Sequence, residues 1–416
     1  MNTMKQLLMI AYYFPPLGGA GVQRSAKFAK YLARMGWEIR IIAAEPAPFE
    51  PLDSSLLTEL DETTVQITRV PNHEPFRFWD RFPGGWRFRA LLQEWVLFPD
   101  RMSGWLKPAL DAAAQICSTY PDIPVFTTSA PYTGHLIGLE LKRRYHCFWV
   151  ADFRDEWTQN PYLKYPSPYH LSKHCRVEHA VLNSADVVIS VTKQITDSFK
   201  QLAPNSPATF ATIPNGFDPE DLKERQYHRK PYFLITHVGN LNQDRAKLIQ
   251  PMIDVLQKLV RAGNVRETNL KVRFIGPGSY QTLQNKGLPF VEIVGSLTHD
   301  AALDAMAESD LLVLAEANPA AFTGKIFEYL GLRRPILGVV PSESPAAELI
   351  RAASAGWVVD AANCTQLEQV LLEAYQAWLG GVVPVEHQLS VIGSYNRQVQ
   401  AEQLAAYITR GYSTHG

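Results

Sequence analysis

Cysteine is scarce in this chain. The four present, Cys117, Cys147, Cys175 and Cys364, lie far apart, with no C-x-x-C pair. That spacing offers no disulfide framework and no zinc or dithiol motif, and it fits reduced thiols. Net charge is nearly absent too: 40 Lys+Arg against 41 Asp+Glu leave a formal charge of -1. No chain-wide field is available to hold nucleic acid or an anionic surface, so any anion site must be local. Long hydrophobic runs are also missing. The opening MNTMKQLLMIAYYFPP is too short for a spanning helix and lacks a small-residue cleavage site, so it reads as the first buried strand of a cytoplasmic protein. No solenoid repeat, low-complexity tract or heptad run is found.

What is present is length and alternation. At 416 residues, 46% of them hydrophobic and 11% aromatic, two cores are expected. Short apolar runs alternate with amphipathic segments, the pattern of strand, helix, strand units on parallel sheets. QLLMIAY, EIRIIAA, TVQITRV, IPVFTTS, CFWVADF and DVVISVT form a first series. YFLITHVG, NLKVRFIG, FVEIVGS, DLLVLAE, PILGVV and GWVVD form a second. Val22, Ala26, Ala29, Tyr31 and Leu32 make one stripe of a first helix that Gly36 would stop. The fold expected is α/β: two tandem Rossmann-like, doubly wound domains with an interdomain cleft. The boundaries expected are 1–218, a linker at 219–230, a second domain at 231–392, and a terminal helix at 393–416 packing back toward the first domain.

Gly18, Gly19 and Gly21 follow the first strand. They either expose amides to an anion at a helix start or serve only the dihedrals of a tight turn. Glu45 after the second strand raises a nicotinamide-dependent oxidoreductase as an alternative, although GGAGVQ lacks the G-x-G-x-x-G register. In the second series Gly239 closes a strand, and Arg245 and Lys247 stand at the next helix start. Two cations there either hold an anion or form a solvated face. FTGKIFEYLG, 322–331, tips the balance: Thr323 and Gly324 offer a cap and uncovered amides, Lys325 a positive charge, and Glu328 a carboxylate one turn later. A carboxylate accepts a ribose diol while amides and lysine hold a pyrophosphate, which points to a nucleoside diphosphate.

Together these motifs resemble the GT-B-fold retaining glycosyltransferases of family four. YYFPPLGGAGVQRSAKFAKYLARMGWEIRII is similar to the opening strand, glycine loop and helix, IPNGFD to the interdomain crossing, and FTGKIFEYLGLRRPIL to the donor-binding helix and strand. TSAPYTGHLIGLELKRRYHCFWVADFRDEW resembles a subgroup linked to bacterial surface glycans and glycoconjugates. The resemblance implies a nucleotide-sugar donor held mainly by the C-terminal domain. It implies a glycan, lipid-linked or small-molecule hydroxyl acceptor held by the N-terminal one. Glu328 would hold the ribose, Arg245 and Lys325 the pyrophosphate with Thr323 and Gly324, Gly18 and Gly19 the approach to phosphate and sugar, and Val294 to Leu297, including Gly295, the base. Where the family commonly carries a second glutamate this chain has Ala320, and Glu316 or Asn318 would have to stand in. The alternative of a nucleotide-sugar-binding protein without turnover rests on that departure.

In ADFRDEW, the cluster Asp152, Arg154, Asp155, Glu156 and Trp157 ends an apolar strand. It is expected to meet the acceptor, with Trp157 stacking on a sugar and Asp155 orienting the hydroxyl, unless it is a structural Arg–Asp pair. Catalysis is assigned to Arg245, Lys325 and Asp155. No D-x-D stands at a strand end, so neither metal nor other cofactor is expected. Phe76 to Trp95 interleaves aromatics with Arg77, Arg81, Arg87 and Arg89; it is either an insertion packed on itself or a peripheral contact with the inner face of a membrane. No nucleic acid partner is expected.

Overall fold

The computed structural model describes residues 5–47, 52–73, 75–82, 84–161, 163–223, 225, 227–278, 280, 287–317 and 324–415. The chain divides into two compact units, one of residues 1–215 with 397–416, the other of 216–396.

In the first unit the strands are β1 (Lys5–Ile10), β2 (Trp37–Ala44), β3 (Val65–Val70), β4 (Val125–Ser129), β5 (Trp149–Phe153), β6 (Val187–Ser190) and β7 (Thr209–Thr212). They form one sheet in the order β3-β2-β1-β4-β5-β6-β7, every pairing parallel. The order reverses between β1 and β4, so the carboxyl ends of those two strands open the crevice where such sheets bind ligands. Strand β7, TFAT, was not legible as a strand: it is four residues on the sheet edge with one side chain buried.

In the second unit β8 (Phe233–Val238), β9 (Leu270–Ile275), β10 (Val291–Gly295), β11 (Leu311–Ala315), β12 (Ile336–Val339) and β13 (Gly356–Val359) form a parallel sheet in the order β10-β9-β8-β11-β12-β13. Its reversal lies between β8 and β11. The six β8 residues are all buried, as expected of a strand covered on both faces.

Helix Ala20–Arg34 departs from the single stripe. Arg24, Lys27 and Lys30 are as buried as Phe28 and Leu32, because helix Arg397–His415 covers it with Ala401, Leu404 and Ile408. The two lysines are neutralised by Glu59, at 2.7 and 2.6 Å. Within the stretch expected as a linker, 219–230, Tyr227 Oη donates to Asp310 and Arg229 Nη2 donates to Trp378 O at 2.6 Å. Its polar side chains found partners, which a composition-based linker assignment ignores.

Candidate functional site

At the β1/β4 reversal the glycine loop runs directly into helix Ala20–Arg34. Gly19 has φ +100°, a region that glycine alone enters cheaply, and space beside its Cα is open. The helix has no side-chain cap and no acidic residue in its first turn. Its positive end and unbonded amides are therefore offered to whatever sits there. Arg154, just past β5, spans this corner by donating to three backbone carbonyls, those of Gly21, Ser129 and Ala130. One guanidinium thus fixes the helix start against the end of β4.

Two of the acceptor assignments in ADFRDEW are corrected here. Asp152 has no exposed surface; it receives Arg24 Nη2 at 2.7 Å and Nε at 3.0 Å, with Thr128 Oγ1 at 2.8 Å. Arg24, also buried, donates two further hydrogens, to Ile213 O (2.9 Å) and Pro214 O (2.8 Å). Trp157 is likewise fully buried: it stacks on Tyr132 (4.5 Å, 10°), and its Nε1 donates to His174 Nδ1 at 3.0 Å. Neither side chain can meet a sugar. Asp155 is exposed, yet protein packed around its carboxyl pushes its pKa upward against the pull of Arg154. His135 is a core residue, bonded through Nδ1 to Thr127 Oγ1 at 2.8 Å, and burial lowers it to about 3.

In the second unit the β8/β11 reversal gathers a different set. Asn242 caps helix Gln243–Arg261 by accepting from Arg245 N at 2.9 Å. The Arg245 guanidinium turns back, donating to Asn240 O at 3.0 Å and to Glu316 Oε2 at 2.6 Å. Lys247 does not join it; it is exposed and paired with Asp244. Helix Lys325–Gly331 starts beyond β11, and Lys325 Nζ lies 2.7 Å from Glu328 Oε2. Gly324 has φ -60°, so its dihedral does not demand glycine, and the space beside it is open. Thr323, Ala320 and Asn318 lie outside the described residues.

The sequence pointed to Glu316, Gly239 and Gly295 without the partners and turns described next, and it singled out neither Gly276 nor His237. Glu316 is the counter-charge of Arg245. Gly239, Gly276 and Gly295 end β8, β9 and β10 at φ +143°, +125° and +80°. A Cβ on Gly276 would lie 2.3 Å from Gly239 O; the apolar-run-then-glycine pattern of HVG, FIG and IVG was the available signal. His237 donates Nδ1–H to Val313 O at 3.0 Å, its Nε2 is buried without a hydrogen-bond partner, and burial lowers the ring to about 4. Beside Gly295, Val294 and Leu297 stay partly exposed. His299 begins helix His299–Ala307, behind the Thr298 cap. A small cavity of about 60 Å³ near Tyr227, Arg334 and Trp378 involves Phe233, Asp310 and Pro335, at the amino ends of the second unit's strands, opposite the carboxyl ends of β8 and β11.

Residues 19–221 match the model of Glycosyltransferase Family 4, and residues 232–377 that of Glycosyl transferases group 1. The chain belongs to the glycosyltransferases of family 4 and group 1. Solved structures with the same fold include HepE from Anabaena in complex with UDP (16% identity, 98% of this chain and 100% of that one, TM-score 0.63). Sucrose-phosphate synthase from Thermosynechococcus elongatus (14%, 99% and 100%, 0.63) and a UDP-forming α,α-trehalose-phosphate synthase from Burkholderia vietnamiensis (12%, 100% and 99%, 0.61) are similar to the same degree. A search of curated proteins returned no match. The transferase therefore has the GT-B fold, its two parallel sheets being the two Rossmann-like domains, and the oxidoreductase alternative drops out. Among its described residues no helix is long and apolar enough to cross a membrane.

Proposed function

We propose that this glycosyltransferase moves a sugar from a nucleoside-diphosphate sugar to an acceptor hydroxyl with retention of anomeric configuration. The observation that carries the donor half is a pair of ion pairs on the segments that follow β8 and β11, Arg245–Glu316 and Lys325–Glu328, in a chain matched to glycosyltransferase models along both halves. UDP is the favoured nucleotide, since HepE was solved with UDP and the trehalose-phosphate synthase is UDP-forming.

In the proposed mechanism, departure of the diphosphate builds negative charge on its oxygens. Arg245, Lys325 and the helix-start amides at Gly324 oppose that charge; one such donor in a preorganised site is typically worth about 3 kcal/mol. Both cations are already paired with a carboxylate, so an arriving pyrophosphate competes with Glu316 for Arg245. Release of Lys325 frees Glu328 to accept the two ribose hydroxyls. Gly295 with Val294 and Leu297 takes the base. On the first unit Gly18 and Gly19 admit the sugar and phosphate, Arg154 holds that corner rigid, and Asp155 orients the acceptor hydroxyl. Attack from the face the diphosphate leaves, with the phosphate taking the acceptor proton, requires no enzymic nucleophile. Arginine, lysine and amides supply the charge stabilisation a metal would otherwise provide, so turnover should persist in EDTA.

A thermal-shift panel of UDP, GDP, TDP and ADP and their sugars tests the donor, because a ligand of the folded state raises the melting temperature. Glu328→Ala should abolish the shift, and an undiminished shift would falsify the ribose assignment. Release of free sugar or transfer in an acceptor screen separates an enzyme from a binder without turnover, and the anomeric proton coupling of the product reports retention.

A further inference from the structure

Sugar transfer leaves the amino ends of the second sheet unused, and the cavity of about 60 Å³ lies there. Phe233 begins β8, Asp310 precedes β11 and Pro335 precedes β12. The donor-side groups follow the other ends of these strands. Six residues of β8 at about 3.3 Å each put roughly 20 Å between the two ends. One small ligand cannot occupy both.

Most polar groups on the cavity walls are already committed. Tyr227 Oη donates to Asp310 Oδ1, and Asp310 Oδ2 accepts from Leu234 N at 2.7 Å. Arg229 Nη2 donates to Trp378 O at 2.6 Å and to Leu379 O at 3.3 Å, carbonyls in the last turn of helix Cys364–Gly380. Two donors remain. Arg334 is half-buried with its guanidinium 4.4 Å from the Tyr227 ring centre, and its one side-chain hydrogen bond is long, Nε to Leu332 O at 3.4 Å. No carboxylate among the described residues forms an ion pair with it, and burial pulls its pKa down against the pull of Asp310. Trp378 is 7% exposed, and its Nε1 is buried with no hydrogen-bond partner.

These two donors specify a ligand. A guanidinium set in a wall without a counter-charge, beside an indole N–H, calls for a charged acceptor. Arg229 and Arg334 against Asp310 leave a single positive charge in excess, which matches a monoanion better than a phosphate dianion. Ala374, Val382 and Pro384 add apolar wall, so the remainder of the ligand is hydrocarbon. At about 10–15 Å³ for each water-sized occupant, the cavity holds about four to six heavy atoms.

We propose that this cavity binds a short monocarboxylate, acetate through butyrate in size. Its carboxylate lies on the Arg334 guanidinium and Trp378 Nε1, and its chain lies against Ala374, Val382 and Pro384. This goes beyond the sugar-transfer proposal and does not rest on it. The full chain is titrated by calorimetry with butyrate, butyramide and inorganic phosphate at constant ionic strength. Saturable butyrate binding with a Kd of roughly 1 mM is expected, since so few atoms seldom bind tighter. Butyramide, equal in size but uncharged, should bind at least about tenfold more weakly, and so should phosphate. Arg334→Gln should weaken butyrate at least about tenfold, and Trp378→Phe, which keeps a ring but loses the donor, about threefold. Arg333→Gln, at the exposed neighbour outside the cavity, should change nothing, and UDP should not displace butyrate. The proposal is overturned by no saturable binding, by butyramide or phosphate binding as tightly as butyrate, or by competition with UDP. Binding that Arg334→Gln or Trp378→Phe leaves unchanged, or that Arg333→Gln weakens as much as Arg334→Gln, also overturns it. The butyramide comparison needs no substitution, so it decides even where a variant folds poorly.

Discussion

Replacing Asp152 by alanine separates a buried strut from a substrate contact. The carboxylate is unexposed and takes two hydrogen-bonding groups of Arg24, itself 1% exposed, plus the Thr128 hydroxyl. Without it the guanidinium keeps only Ile213 O and Pro214 O, and a charge stays buried with no counter-charge. Breaking a buried pair from one side typically costs about 3–5 kcal/mol. In a domain of about two hundred residues each kcal/mol moves the melting point by roughly 2–4 °C, so a fall of about 6–20 °C is expected by calorimetry. Arg24→Met with Asp152→Leu removes both charges together and should recover most of that loss, because a well-packed apolar pair of similar volume replaces such bridges at little penalty. If Asp152→Ala melts within about 2 °C of the parent yet abolishes transfer, the strut assignment is wrong and the carboxylate meets substrate after all.

Other expectations follow from single positions. Gly324→Ala should leave the melting temperature unchanged, since φ is -60° and the space is open, but should weaken UDP in a titration if the pyrophosphate lies against that amide. Unchanged affinity would remove Gly324 from the site. Gly276→Ala combines φ +125° with a contact at 2.3 Å to Gly239 O and should destabilise the second unit by at least about 2 kcal/mol, read from its urea midpoint. His237 is held at about 4 against an ordinary 6.5. The unfolded chain therefore binds its proton first as acid is added: the stability is intact above pH 6.5 and is lost as pH falls toward 4, by about 3 kcal/mol. His237→Phe should flatten that part of the stability–pH curve; an unaltered slope would assign the acid sensitivity to other groups.

Where the sequence was misleading, burial was the cause. ADFRDEW showed charge at a strand end, and the strand end is real. Which of its charges faces outward depends on what packs above it. Arg24 arrives from a helix 128 positions away in sequence and takes Asp152, while Tyr132 and His174 take Trp157. In FTGKIFEYLG, by contrast, residue spacing alone put Lys325 and Glu328 on one face, because three residues along a helix are neighbours whatever surrounds them. Glu316 had no such local signal, since its partner Arg245 lies across the β8/β11 reversal.

The order and type of the elements were written in the sequence, because apolar periodicity and glycine stops act over a few residues and are felt before any core exists. So was the motif set that marks a sugar transferase. Only the tertiary structure decided which charges are struts and which remain free for chemistry. The cost of burying a carboxylate or guanidinium is fixed by partners brought together from distant segments, and no local pattern encodes where those partners will stand.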